Sequence, residues 1–295
     1  MQTGRHGRLE YALPVGSGSE YEYVKIEMYE YVLDLQATMR RQLWSISNGF
    51  AHVLPGEITG RLSFSVPVCT LPMDLMKPDD GYVQAFLHMD TLTGGTTKEV
   101  SITPLNFSFI FNYSATNVVQ RGTISFEVVL HDQSEYLISE DLTHPDAVCE
   151  VRSCEILPLI DDVEIANVFE ANLSFGYDKQ SFIHGKDSVI GRTVKAIQPN
   201  RGSLHGDLRL DVHRTGVFLT EFVPTLNQLY QIKLPINASE EWELIWCRYM
   251  GASNLRVSPQ TGQILSETWN FALTSLDNDL SPGLFKIPNG EYLYV

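Results

Sequence analysis

Five side chains that could do chemistry, His205, Asp207, Arg209, Asp211 and His213, stand at every second position of one short stretch. On an extended strand that spacing projects all five from one face and turns Leu208, Leu210 and Val212 inward. Two imidazoles and two carboxylates are ligands for a divalent cation. Ligands four to eight residues apart on a strand, however, stand roughly 13 to 27 Å from one another, too far to share an ion held about 2 Å from each. The pattern reads as an ionic row facing solvent or another subunit, and no metal site is expected.

Other candidate chemistry falls away on spacing. Gly16-Ser17-Gly18-Ser19 lacks the third glycine and the preceding strand of a dinucleotide fingerprint, and no Walker loop is present. In Gly202-Ser203-Leu204-His205-Gly206 the serine directly follows the first glycine, whereas a nucleophile elbow needs it two residues later. His144-Pro145-Asp146 matches the tripeptide of J-domain cochaperones, but it lies in an acidic segment and not in a basic turn between helices. Asp277-Asn278-Asp279 begins like a calcium loop, yet Pro282 and Pro288 occupy the positions that need glycine and glutamate. Trp242, Trp246 and Trp269 could stack on a sugar, although Trp242 and Trp246 share their face with Leu244 and core packing is the default for such residues. No catalytic, cofactor-binding or metal-binding residue is expected, and the chain does not read as an enzyme.

Charge is the most informative pattern. With 21 Lys and Arg against 36 Asp and Glu, the 295-residue chain carries −15, a surface that repels phosphate backbones and anionic lipid. Sequence-specific nucleic-acid binding is therefore not expected. Twelve carboxylates (Glu127, Asp132, Glu135, Glu140, Asp141, Asp146, Glu150, Glu155, Asp161, Asp162, Glu164 and Glu170) and a single base, Arg152, lie within one segment. The stretch that follows is net basic, with Lys179, Lys186, Arg192, Lys195, Arg201, Arg209 and Arg214 outnumbering Asp178, Asp187, Asp207 and Asp211. An acidic and a basic strip on one protomer suit head-to-tail packing, and heterologous contacts of that kind make rings. A strip facing the lumen of such a ring would let DNA pass without sticking. The plainer reading is a solvated acidic face.

Those residues must be positioned by strands. Apolar and polar residues alternate through Leu62–Val68, Leu105–Tyr113, Ile124–Leu130, Leu173–Tyr177, Leu208–Val212, Tyr230–Ile236, Trp242–Trp246 and Trp269–Leu273. Pro259-Gln260-Thr261-Gly262 and Pro288-Asn289-Gly290 have the composition of hairpin tips. The fold class is mainly β, an antiparallel sandwich or barrel. One helix is expected over about 30–47, where Val32, Leu35, Met39, Leu43 and Ile46 recur every three to four residues. Residues 1–19, glycine-rich and poor in apolar side chains, read as a flexible N-terminal arm. The rest divides into a β-rich lobe over 20–160, which carries the helix, and a second β-rich lobe over 161–295.

Hydrophobic residues make up 43% of the chain and charged residues 19%, with 14 Phe, 13 Tyr and 4 Trp, which is the composition of a folded protein. No apolar run is long enough to span a membrane or serve as a secretory leader, so no membrane insertion is expected. Cys69, Cys149, Cys154 and Cys247 read as small core residues in a reducing compartment.

The flexible arm, the polar-faced strands, hairpin tips such as Pro259-Gln260-Thr261-Gly262, the C-terminus Glu291-Tyr292-Leu293-Tyr294-Val295 and the lack of an enzyme motif together resemble the virion structural proteins of large tailed bacteriophages. The resemblance extends over the whole length and transfers no functional residue. It implies a tail or baseplate component, at its sharpest a tail-tube subunit, that forms homo-oligomers, contacts other virion proteins and is assembled in the host cytoplasm. Two other functions remain in view. One is a carbohydrate-binding or glycoside-cleaving β-sandwich, suggested by the aromatics and the surplus of carboxylates. The other is an adaptor that recruits a basic partner through the acidic segment.

Overall fold

In a computed structural model of the chain, the period-two stretches become antiparallel strands. It describes residues 2–14, 21–43, 51–67, 83–91, 94–114, 121–130, 136–138, 157–176, 179–187, 191–199, 205–214, 222–236, 241–262, 264–273, 285–286 and 292–293. The first strands are β1 (Gln2–Pro14), β2 (Tyr21–Leu43), β3 (Ala51–Pro67), β4 (Val83–Thr91), β5 (Gly94–Asn112), β6 (Arg121–Leu130) and β7 (Tyr136–Ile138). After them come β8 (Leu159–Ile160), β9 (Val163–Glu164), β10 (Val168–Gly176), β11 (Lys179–Asp187), β12 (Gly191–Pro199), β13 (His205–His213), β14 (Leu229–Pro235), β15 (Glu241–Val257), β16 (Ile264–Leu273), β17 (Phe285–Lys286) and β18 (Tyr292–Leu293). The mainly-β expectation holds, and no helix occurs among the described residues.

Strands β1, β2, β3, β6, β5 and β4 form a hydrogen-bonded circuit that closes through the β4–β5 pairing. Its interior is apolar. Leu9, Met28, Leu62, Phe64, Leu87, Val100, Ile124, Phe126 and Val128 are fully buried, and the registers Leu9↔Leu87, Leu62↔Phe126 and Phe64↔Ile124 put them opposite one another. Each such side chain withdrawn from water stabilises the fold by about 1.5–3 kcal/mol before entropy is counted. Closure also consumes the strand edges that an open sheet exposes.

Strand β5 belongs to two bodies. Its first half, Gly94–Ile102, pairs with β4, and its last part, Asn106–Asn112, pairs with β10. The change of partner coincides with an irregularity between Pro104 and Asn106 in the β5–β6 register. Proline lacks the backbone donor of a regular ladder, and sheets tolerate it at bulges. From β5 the sheet runs on through β10, β13, β16, β15, β14 and β8 to β9.

Across this second region one face is aromatic. Phe107, Phe109, Phe111, Leu173, Phe175, Leu208, Leu210, Trp269 and Phe271 are buried. The first half of β15 folds over it, so that the Trp242 ring lies 5.0 Å from Phe109 and 6.1 Å from Phe175, centroid to centroid. The Tyr113 hydroxyl donates to the Pro235 carbonyl at 3.2 Å and ties the end of β5 to β14. Gly122 is required by close approach, because a Cβ there would meet the Phe109 ring at 2.4 Å.

Three expectations are corrected. The stretch expected as a helix over 30–47 is strand β2 as far as Leu43, and the remainder lies outside the described residues. The register shift between Tyr29 and Val32 inserts a residue in β2, where Glu30 sits at φ 48°, and the shift between Ala37 and Met39 inserts one in β3. The inward positions fall at Ile26, Met28, Tyr31 and Leu33, whereas Val32 and Leu35, which carry the helical spacing, are half-buried. Secondly, most of the expected flexible arm is β1, paired with β2 and β4 and anchored by the buried Leu9. Thirdly, Trp246 does not share a face with Trp242 and Leu244. A register shift in the β14–β15 pairing turns Cys247 and Tyr249 inward instead. The boundary drawn at 160/161 falls in the turn between β8 and β9, both of which sit at the β14 end of the sheet.

Candidate assembly surface

The ionic row forms as its spacing dictates. Along β13, His205, Asp207 and Arg209 are exposed, Asp211 and His213 are half-buried, and Leu208, Leu210 and Val212 are fully buried. Neighbouring strands extend each position sideways. One row reads Asn112, Glu170, Asp211, Thr268, Ser253, and the next reads Ile110, Asn172, Arg209, Asn270, Gly251. The third reads Ser108, Ser174, Asp207, Ala272.

These rows make a polar surface five strands wide. Glu170 and Asp211 are like charges directly opposite, a repulsive arrangement. Asn172 donates to Glu170 Oε1 at 2.8 Å, and the Thr268 hydroxyl donates to Asp211 Oδ1. A groove of about 450 Å³ runs between Ser108, Asn172, Ser174, Asp207, Arg209, Asp211, Asn254 and Thr268. Among the described residues no group of three or more His, Cys, Asp or Glu is placed to hold a metal.

At one margin of this face, β15 and β16 leave the core. From Met250 to Gly262 no residue is buried. Met250 and Leu255 are each 55% exposed and Val257 48%, all three apolar. Beyond Tyr249, β15 pairs with β16 alone among the described residues. Three register shifts, with Gly251 at φ 115° and Asn254 at φ 52°, curl the hairpin. Asn270 Nδ2 donates to the Gly251 carbonyl at 3.0 Å and to Ser253 Oγ at 2.9 Å, which holds the curl. The expected hairpin tip at Pro259–Gly262 is observed, with Gly262 at φ 70°.

Where the hairpin joins the core, the Glu267 carboxylate is 8% exposed; it pairs with Arg214 at 3.3 Å and accepts from Trp269 Nε1 at 2.7 Å. Arg214, placed by its sequence in a basic strip, is thus committed inside the molecule. Arg209 remains on the polar face. Lys179, Lys186, Arg192 and Lys195 lie on β11 and β12, whose side chains fall outside the described residues, as does Arg201.

The acidic strip is likewise divided. Asp132, Glu135, Glu140, Asp141, Asp146, Glu150 and Glu155 lie outside the described residues. Glu127 is on β6, in register with Arg61, and Glu170 is on β10. Asp161, Asp162 and Glu164 are exposed around the β8–β9 turn, with Val163 among them at 49% exposure. Asp161 and Asp162 have positive φ, as a tight turn requires. Asp161 Oδ1 accepts from the Gln231 amide at 2.8 Å, and Lys233 Nζ meets Asp162 Oδ1 at 2.7 Å. That hydrogen bond to Asp162 raises the Lys233 pKa. Beyond β9 the sheet has no further strand among the described residues.

Sequence reasoning missed Glu267, Asn254, Leu255 and Val163. The signal that could have found the hairpin is the loss of alternation after Tyr249, where small and polar residues interrupt the apolar ones. Trp242 and Trp269, considered as sugar-stacking residues, are fully buried. Cys247 is buried and unpaired with another cysteine, and burial pushes its thiol pKa up. Burial does the same to the Tyr113 phenol. No helix among the described residues is long and apolar enough to cross a membrane. No protein-family model matches the chain, and no curated protein resembles it at a significant level.

Proposed function

We propose that this chain is a non-enzymatic structural subunit of a viral particle, a tail-tube or baseplate component of a large tailed bacteriophage that self-associates into rings or stacks. The observation that carries the reading is the contrast within one sheet: a strand pair leaves its core at Met250 and exposes the apolar Met250, Leu255 and Val257, while β9, the last strand of the sheet among the described residues, offers an edge. Isolated two-stranded ribbons are marginal in water, and exposed edges invite pairing with another chain. A subunit completed by its neighbours accounts for both. The uneven charge supports head-to-tail contact, and the overall −15 suits passage of DNA past the assembly rather than capture of it. The function needs no cofactor, and the location that follows is the virion, assembled in the host cytoplasm.

The test is electron microscopy and sedimentation of the purified chain at high concentration and low salt, with labelled antibody on native particles. Rings, stacks or labelled particles are expected. A chain that stays monomeric and is absent from particles overturns the proposal.

A further inference from the structure

The two incomplete parts of the molecule are complementary. The hairpin segment 248–262 carries Arg248 and Arg256 and no acid, alongside the exposed Leu255 and Val257. The segment around β9 carries Asp161, Asp162 and Glu164 and no base, alongside the exposed Val163. Each has a backbone edge with no strand on it among the described residues: β15 beyond Tyr249 on its outer side, and β9 on the side away from β8. We infer that the β15 edge of one copy docks beside β9 of a second copy, with Leu255 and Val257 covering Val163 and Arg256 facing Glu164.

This contact deepens the assembly reading and rests on it. The two patches occupy different places on one body, since β14 and β8 intervene between β15 and β9. Contact between them is therefore heterologous and propagates from copy to copy, as a self-complementary patch would not. Backbone pairing supplies the continuity of the sheet, the apolar residues lose water, and the opposite charges fix which edge meets which. Asp161 and Asp162 are already engaged by Gln231 and Lys233, so they shape the turn, and Glu164 is the acid offered to the partner.

The contact is tested by charge exchange in the full chain, read by sedimentation velocity at low salt. Arg256→Glu and Glu164→Lys are both at exposed positions, and far-UV circular dichroism should match the wild type for each. Each alone should raise the concentration needed for assembly about tenfold or more. The double variant Arg256→Glu/Glu164→Lys should restore it. A mixture of the two single variants should also restore assembly, with the two variants alternating, because each acidic hairpin meets a basic edge and each basic hairpin an acidic one. Single variants that assemble like the wild type overturn this contact and leave the assembly reading standing. A wild-type chain that remains monomeric overturns this contact, and one that is also absent from particles overturns the assembly reading with it.

Discussion

Strand β15 is one continuous strand with two different lives. In its first half Trp242, Leu244, Cys247 and Tyr249 are buried, and the alternation survives a bulge because a second layer of sheet covers that face. In its second half every residue from Met250 to Val257 is exposed or half-exposed, although the backbone ladder to β16 continues. Among the described residues, the first half pairs with β14 and β17 and the second with β16 alone, and only the first has a layer of side chains lying across its face. A ladder alone does not set where a strand is stable, and the uncovered half is where a second molecule has something to add.

The largest effect should come from breaking the covered half. Trp242→Ala removes a fully buried ring packed on Phe109 and Phe175, and should cost about 3–5 kcal/mol in denaturant titration. At the joint between the halves, Glu267→Ala leaves the partly buried Arg214 guanidinium and the Trp269 indole without their shared acceptor. A loss of about 2–3 kcal/mol is expected in the same measurement.

A third prediction uses alkaline pH to probe the covered region. Cys247 and Tyr113 are held neutral by burial, with folded pKa values above their ordinary 9.0 and 10.0. Below those values both states are protonated and neither group affects stability. Above them only the unfolded chain ionises, so each group should reduce stability by about 1.4 kcal/mol per pH unit. Cys247→Ala should lose the part of the slope that begins near pH 9, and Tyr113→Phe the part that begins near 10, as read from thermal unfolding against pH. Equal slopes in variant and wild type would place these groups in water. The smallest effect should belong to the uncovered half: Leu255→Ser should change monomer stability by less than about 0.5 kcal/mol. A large loss there would mean that the hairpin is part of the core and the contrast within β15 is false.

The strand content is legible in the sequence because an inward and an outward face write themselves as a period of two, plain in the residue types of Leu208-Arg209-Leu210-Asp211-Val212. The ionic face of β13 follows from the same rule. Bulges defeat the reading elsewhere. At Glu30 and again between Leu244 and Cys247 a single extra residue reverses the phase, so simple alternation fails along β2 and puts Trp246 on the wrong face. No propensity marks such an insertion, since it is fixed by the partner strand. The N-terminal segment misleads for a related reason: β1 is held by backbone bonds on both sides, and Leu9 is the buried apolar anchor among its described side chains.

By itself, then, the sequence determined the class of the protein, its alternating strands, its turn at Pro259–Gly262 and its acid-rich balance, because each is a property of neighbours along the chain. Only the tertiary structure decided that β4 closes on β5, that β5 serves two bodies across Pro104, that Arg214 is spent on Glu267, and that Leu255 and Val163 are left facing water. Those outcomes depend on which strand lies beside which, and strand pairing is settled by burial summed over the whole sheet, a quantity no local stretch of residues contains.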